Sequence, residues 1–200
     1  MKCVLSKIQR GQLARKTLGV KGVLLSFLLA GSTVQASETD NSQLKLYTFD
    51  CGTIDVSNMD VFSSSGDYAN QQQRLVGSCF LIRHPKGDLL WDTGLSADLV
   101  DNDPVVNGVF TLSMKKSLIE QLASIQLKPN DIDYLSISHS HFDHTGQMAE
   151  FTSATWLVTD EELKTISSGK DLQPLYGQIK DMPRKSFSGD YDVFDDGKVK

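Results

Sequence analysis

Apolar and polar positions alternate over Leu44-Lys45-Leu46-Tyr47-Thr48-Phe49, which predicts a strand. Arg74–Arg83 (RLVGSCFLIR) predicts a second strand and Leu89-Leu90-Trp91 a third. Between these two, His84-Pro85-Lys86-Gly87-Asp88 has the proline-early, glycine-late order of a hairpin turn. Residues 51–73 are rich in Gly, Ser, Asn and Asp and predict a long surface loop, a length that goes with function or mobility. Residues 95–112 also read as irregular. Met114, Leu118, Leu122 and Ile125 then recur at helical spacing, so 113–126 predicts an amphipathic helix, stopped by Pro129-Asn130-Asp131. Ile132–Ser138 predicts a strand, a short helix is expected to start near Thr145 or Gly146, and Ala154–Thr159 predicts a further strand. Asp160-Glu161-Glu162 place acids where the dipole of a helix first turn favours them. Residues 169–189 mix glycine, proline and polar residues and read as irregular. Strands alternating with helices imply an α/β or α+β layered domain.

The first 36 residues follow a different pattern. Lys2, Lys7, Arg10, Arg15, Lys16 and Lys21 are basic, and no acid occurs before residue 37. The apolar run Val23-Leu24-Leu25-Ser26-Phe27-Leu28-Leu29-Ala30 follows, and then the A-x-A-like Val34-Gln35-Ala36. This is the layout of a secretory signal peptide cleaved after Ala36. Residues 1–36 are therefore expected to be removed, leaving 37–200 as a domain in the periplasm or outside the cell. The apolar run is too short for a hydrocarbon core about 30 Å thick. Ser32 stands where a lipidated cysteine would have to be, so no stable membrane anchor is expected. All 25 acids but only 14 of the 20 bases lie beyond residue 36, which leaves that part near −11, against −5 for the whole chain. Such acidity argues against nucleic acid or an anionic membrane as partner, and for a protein acting on a small-molecule substrate.

The stretch ISHSHFDHTGQ, residues 137–147, holds three of the chain's four histidines. His139 and His141 are two apart at a strand end, so their side chains leave the same face. Phe142-Asp143-His144 turns the chain back, aiming Asp143 and His144 at nearly the same place. Imidazoles with a carboxylate suit Zn²⁺, and Fe or Mn can use the same set. A solvated histidine-rich turn is the ordinary alternative, and H-x-H-x-D-H at a strand end argues against it. His84, beside Pro85, is expected to be a structural turn residue. Cys51 and Cys79 either pair in an oxidising compartment or are buried thiols on adjacent strands.

His139-Ser140-His141-Phe142-Asp143-His144-Thr145-Gly146 resembles the H-x-H-x-D-H signature of the metallo-β-lactamase superfamily. The hairpin returning to Leu90-Trp91-Asp92-Thr93-Gly94, a helix, and the run from Pro129 to Ser138 come in that family's order, and the likeness covers 44–200. Within the superfamily the chain is most similar to the N-acyl homoserine lactonase group, through Leu46-Tyr47-Thr48-Phe49-Asp50-Cys51-Gly52 and Gly189-Asp190-Tyr191-Asp192-Val193. The resemblance implies an α+β fold, the N-terminal half of a four-layer αββα sandwich with a mixed sheet flanked by helices. It implies that His139 and His141 bind one metal, and Asp143 and His144 a second. Asp143 is also the candidate catalytic residue, and Asp92 supports the metal loop through hydrogen bonds. A hydroxide held between the two metals would attack the substrate carbonyl. Opening of the lactone ring of N-acyl homoserine lactones is the activity implied first. A β-lactamase of the H-x-H-x-D-H subgroup, and a non-catalytic metal-binding chain, are the alternatives. The family pattern also needs a third histidine on the first metal, an aspartate bridging both and a further histidine on the second, and none is matched by Lys200. The chain is therefore expected to be the N-terminal part of a longer enzyme, inactive and poorly soluble alone, with one sheet face bare.

Overall fold

A computed structural model describes residues 43–200, so the expected signal peptide lies outside the described residues. Among the described residues, no helix is long and apolar enough to cross a membrane. Strands β1 (Lys45–Val56), β2 (Gln73–His84) and β3 (Gly87–Trp91) pair antiparallel in succession. β2 and β3 turn through Pro85-Lys86, as the sequence predicts, with His84 opposite Gly87. Beyond β1 lie β5 (Phe110–Ser113) and, at the edge, β4 (Val105–Asn107). On the other side β6 (Tyr134–Ser136), β7 (Thr155–Thr159) and β8 (Arg184–Phe187) continue in parallel from β3, giving one mixed sheet of eight strands. Parallel neighbours need crossover connections. Those connections carry α1 (Leu118–Ser124), α2 (Phe142–Thr145), α3 (Asp160–Ser168) and α4 (Gln173–Ile179).

The main core lies between one sheet face and these helices. Phe49, Leu81, Leu90, Leu135 and Trp156 from the strands pack with Leu118, Leu122, Ile166 and Ile179 from the helices. On the opposite face, Leu89 and Leu157 are covered by Phe194 and Val199 of the C-terminal segment. His84 clips that segment down: its ring stacks on Phe194 at 4.2 Å and its Nε2 lies 2.9 Å from Asp196 Oδ2. The outer face is therefore not bare throughout. It is covered where that segment packs, while Leu46 and Trp91 stay exposed.

Four sequence expectations need correction. The loop predicted over 51–73 is strand as far as Val56, because a register shift between Asp50 and Thr53 breaks the alternation without ending the pairing. Residues 105–113 form the β4–β5 hairpin instead of irregular chain, turning at Gly108-Val109. Helix α1 begins only at Leu118, after Ser117 and Glu120 form a reciprocal capping box. Met114 shares the helical spacing by coincidence and packs in a separate cluster with Ile54, Leu95 and Leu112. Residues 169–189 hold α4 and β8: Pro174 falls in the first helical turn, where its missing N–H costs nothing.

Cys51 and Cys79 form a disulfide across β1 and β2, and both are fully buried. Cross-linking positions 28 residues apart constrains the unfolded chain by about 3–4 kcal/mol in the loop-entropy picture. The Cys51→Ala/Cys79→Ala variant is expected to lose about that much unfolding free energy in guanidinium titrations. An unchanged midpoint would mean that the bridge adds no stability.

Candidate metal centre

The site is built at the carboxyl ends of two parallel neighbours. Trp91, the last residue of β3, pairs with Ser136, the last of β6, so the chain leaves both strands side by side. One exit carries Asp92 and the other Ser138 and His139. The Asp92 N–H still bonds the Ser136 carbonyl at 2.9 Å, but its backbone then turns to a φ of 63°. That left-handed conformation is one aspartate tolerates better than most residues. From Ser138 the chain bends to His141, the N-cap of α2, so Asp143 and His144 lie within this single helical turn. The short helix thus covers the Phe142–His144 turn itself and does not begin at Thr145 or Gly146.

Asp92 is 5% exposed and binds three donors. Its Oδ1 accepts from the Ser138 N–H at 2.7 Å, and its Oδ2 accepts from the Ser138 hydroxyl at 3.0 Å. His144 Nδ1 lies 2.9 Å from the same Oδ2. The backbone ties the two exits further: Thr93 N–H donates to the His144 carbonyl at 2.8 Å, and Gly146 N–H to the Gly94 carbonyl at 2.7 Å. Approach this close excludes side chains. A Cβ on Gly94 would overlap Cys51, and one on Gly146 would overlap the Leu95 backbone. Gln147, 2% exposed, donates to the Thr93 and Leu95 carbonyls and accepts from Leu118 N–H, joining the turn to the start of α1.

His139, His141, Asp143 and His144 lie together in front of this frame. The His139 ring is 4.4 Å from that of His141 and 4.2 Å from that of His144, centre to centre. Burial pulls the His139 pKa below its ordinary value, and the neighbouring His144 and His141 imidazoles pull the same way, against Asp143 and Asp92. A ring held neutral keeps a lone pair for a metal. His144 Nε2 and Asp143 Oδ2 are 3.4 Å apart. Two ligands of one tetrahedral zinc lie about 3.3 Å apart, so this spacing and donor set fit such an ion. Among the described residues no three His, Cys, Asp or Glu side chains converge on one ion position.

Several contributors escape a linear reading. Ser138 reads as the last residue of a strand, and Gln147 falls just after the expected start of a short helix near Thr145 or Gly146. Phe62 and Phe110 are distant in sequence, yet with Phe142, the neighbour of His141, they form a row with 6.2 and 6.4 Å between successive rings. The one local signal was Phe142 inside the histidine motif.

Residues 73–198 match the sequence model of the metallo-β-lactamase superfamily. An N-acyl homoserine lactonase of Bacillus thuringiensis is 27% identical over 125 residues, which are 58% of this chain and 48% of that protein. The N-acyl homoserine lactonase AttM of Agrobacterium fabrum is 27% identical over 128 residues, 60% of this chain and 48% of its own length. The chain thus spans about half the length of the curated relatives it matches. Among solved structures, an N-acyl homoserine lactone hydrolase with N-hexanoyl-L-homoserine bound at its catalytic metal centre superposes with a TM-score of 0.62 at 25% identity, over 74% of this chain and 61% of that one. The dizinc quorum-quenching lactonase AidC superposes at 0.54 with 14% identity, over 76% and 61%, which shows the shared fold. The mixed sheet flanked by helices is thus part of the superfamily's sandwich.

The frame around Asp92 makes a stability prediction. Asp92→Ala leaves three donors without their acceptor and puts alanine at a left-handed φ, so it is expected to lower unfolding free energy by about 2–4 kcal/mol. Asp92→Asn, which tolerates the backbone and keeps one acceptor oxygen, is expected to lose less. Equal losses in chemical denaturation would mean that the carboxylate's bonds contribute little.

Proposed function

Because this chain belongs to the metallo-β-lactamase superfamily, we propose that the protein is an exported metal-dependent hydrolase that opens the lactone ring of N-acyl homoserine lactones. The observation that carries this reading is the apolar row beside the histidine cluster. Phe142 and Phe62 are 45% and 54% exposed, with Phe110 between them. A polar ring with an acyl tail matches that division: the ring at the imidazoles, the tail along the phenyl groups. The lactonases among its relatives support the same substrate class.

In this reading His139 and His141 hold one metal, Asp143 and His144 a second, and zinc suits the set best. When bound, the metal supplies polarisation of the ester carbonyl and a source of hydroxide at neutral pH. The rest falls to the chain. Asp92 keeps the His144 ring oriented through Nδ1, the kind of support that ligating imidazoles need. Ring opening releases an alkoxide that must gain a proton. Asp92 has both oxygens engaged by Ser138 and His144, whereas Asp143 has only His144 beside it among the described residues. Asp143 is therefore the carboxylate assigned to take the proton that the attacking water gives up and pass it to that alkoxide. Export places the protein in the periplasm or outside the cell, and its acidic surface leaves small neutral or amphipathic molecules as the substrates it meets most readily.

Three measurements test this. The zinc-loaded whole protein is expected to hydrolyse N-hexanoyl homoserine lactone and not a chromogenic cephalosporin; the reverse preference would make it a β-lactamase. His141→Ala is expected to lose most bound metal and nearly all activity, and unchanged stoichiometry by elemental analysis would remove His141 from the ligand set. Phe142→Ala is expected to raise KM several-fold for a decanoyl substrate but little for a butanoyl one. Equal effects on both would detach the phenyl row from the acyl chain.

A further inference from the structure

The hydroxyl of Ser138 meets three groups at once: Asp92 Oδ2 at 3.0 Å, His139 Nδ1 at 3.1 Å and His144 Nδ1 at 3.0 Å. It carries one proton to distribute among them. An ionised carboxylate only accepts, so an uncharged oxygen 3.0 Å from Asp92 Oδ2 must point its proton there or be repelled. His144 Nδ1, 2.9 Å from the same oxygen, must carry a hydrogen for the same reason. The Ser138 proton is then spent, and the remaining short contact, to His139 Nδ1, requires the hydrogen on the imidazole and the lone pair on the serine.

We infer that Ser138 is a positioning residue that sets the tautomer of His139, completing a chain in which one carboxylate and one hydroxyl hold Nδ1–H on two imidazoles. The chain runs from His139 Nδ1–H to Ser138 Oγ, from Ser138 O–H to Asp92 Oδ2, and from His144 Nδ1–H to that same oxygen. Both rings then present the Nε2 lone pair, the one able to meet a metal. His144 has its carboxylate directly. His139 has no carboxylate bonded to Nδ1 and is tied to Asp92 only through Ser138. Ser138 also donates its own N–H to Asp92 Oδ1 at 2.7 Å, which fixes the serine backbone whatever its side chain does. Removing the hydroxyl alone should therefore release the His139 ring without unseating the loop. This inference rests on the metal-ligand reading of His139 only for its functional consequence; the proton arrangement stands on the distances.

The test compares Ser138→Ala and Ser138→Thr with the unsubstituted protein. Histidine ¹⁵N spectra of the metal-free protein read the tautomers directly. His139 is expected to be the Nδ1–H form in the parent and in Ser138→Thr, and to move toward the Nε2–H form preferred by free imidazole in Ser138→Ala. His144 is expected to stay Nδ1–H in all three. Zinc affinity, measured by chelator competition, is expected to fall about tenfold in Ser138→Ala and to recover in Ser138→Thr, the lower end of what such supporting partners contribute. A melting temperature close to the parent's would accompany both. A His139 tautomer unchanged in Ser138→Ala would overturn the assignment, whatever the affinities. If the parent itself bound no zinc, the metal reading under Proposed function would fall, while the spectra would still decide the tautomer.

Discussion

The Asp92 carboxylate is the interaction on which the local structure turns. It sits almost buried at the end of β3 and accepts from the Ser138 backbone, the Ser138 hydroxyl and His144 Nδ1, all from the segment leaving β6. A buried carboxylate is costly unless its lone pairs are used, and a left-handed aspartate adds backbone cost. Both costs are met by tying two strand exits into one unit. The parallel pairing of β3 with β6 makes this geometry available, because it brings Trp91 and Ser136 level and starts both exits at the same height.

Behind that carboxylate the packing leaves little freedom. The buried Cys51–Cys79 bridge lies under Gly94, Gly94 contacts Gly146, and Gln147 joins the same turn to the first amide of α1. Movement of any of these elements would shift His144. The histidines themselves are partly open to solvent, with the His139 ring between those of His141 and His144. The rigid part of the site is thus its frame, and the adaptable part is the face that would meet metal and substrate. This division suits the proposed hydrolytic role, in which ligands must be pre-oriented but must also admit a reacting group.

The two faces of the sheet differ for a related reason. The inner face is sealed by α1, α3, α4 and the turn at Met148–Phe151 and holds the main core. The outer face is sealed only where residues beyond β8 fold back, held by His84 against Phe194 and Asp196. His84 is the chain's one histidine outside the cluster, and its burial in this clip explains it without any ligand role.

Much of this was legible in the chain itself. Elements whose apolar period survives intact, the β2–β3 hairpin, β7 and the acidic start of α3, could be read directly because local patterning and final packing agree. The histidine motif could be read because its ligand-type residues are adjacent. Elements whose period is broken or mimicked could not: β1 continues past its register shift, Met114 imitates a helical position, and α4 contains the proline and glycine that usually signal loop. Whether Cys51 and Cys79 pair was left open by sequence and decided by β1 lying against β2. The roles of Ser138, Gln147 and the Phe62–Phe110–Phe142 row were also decided only in three dimensions. Sequence spacing records neighbours along one strand or helix, whereas hydrogen bonds and ring contacts over 29 to 54 positions exist only after parallel strands and their crossovers bring those positions together.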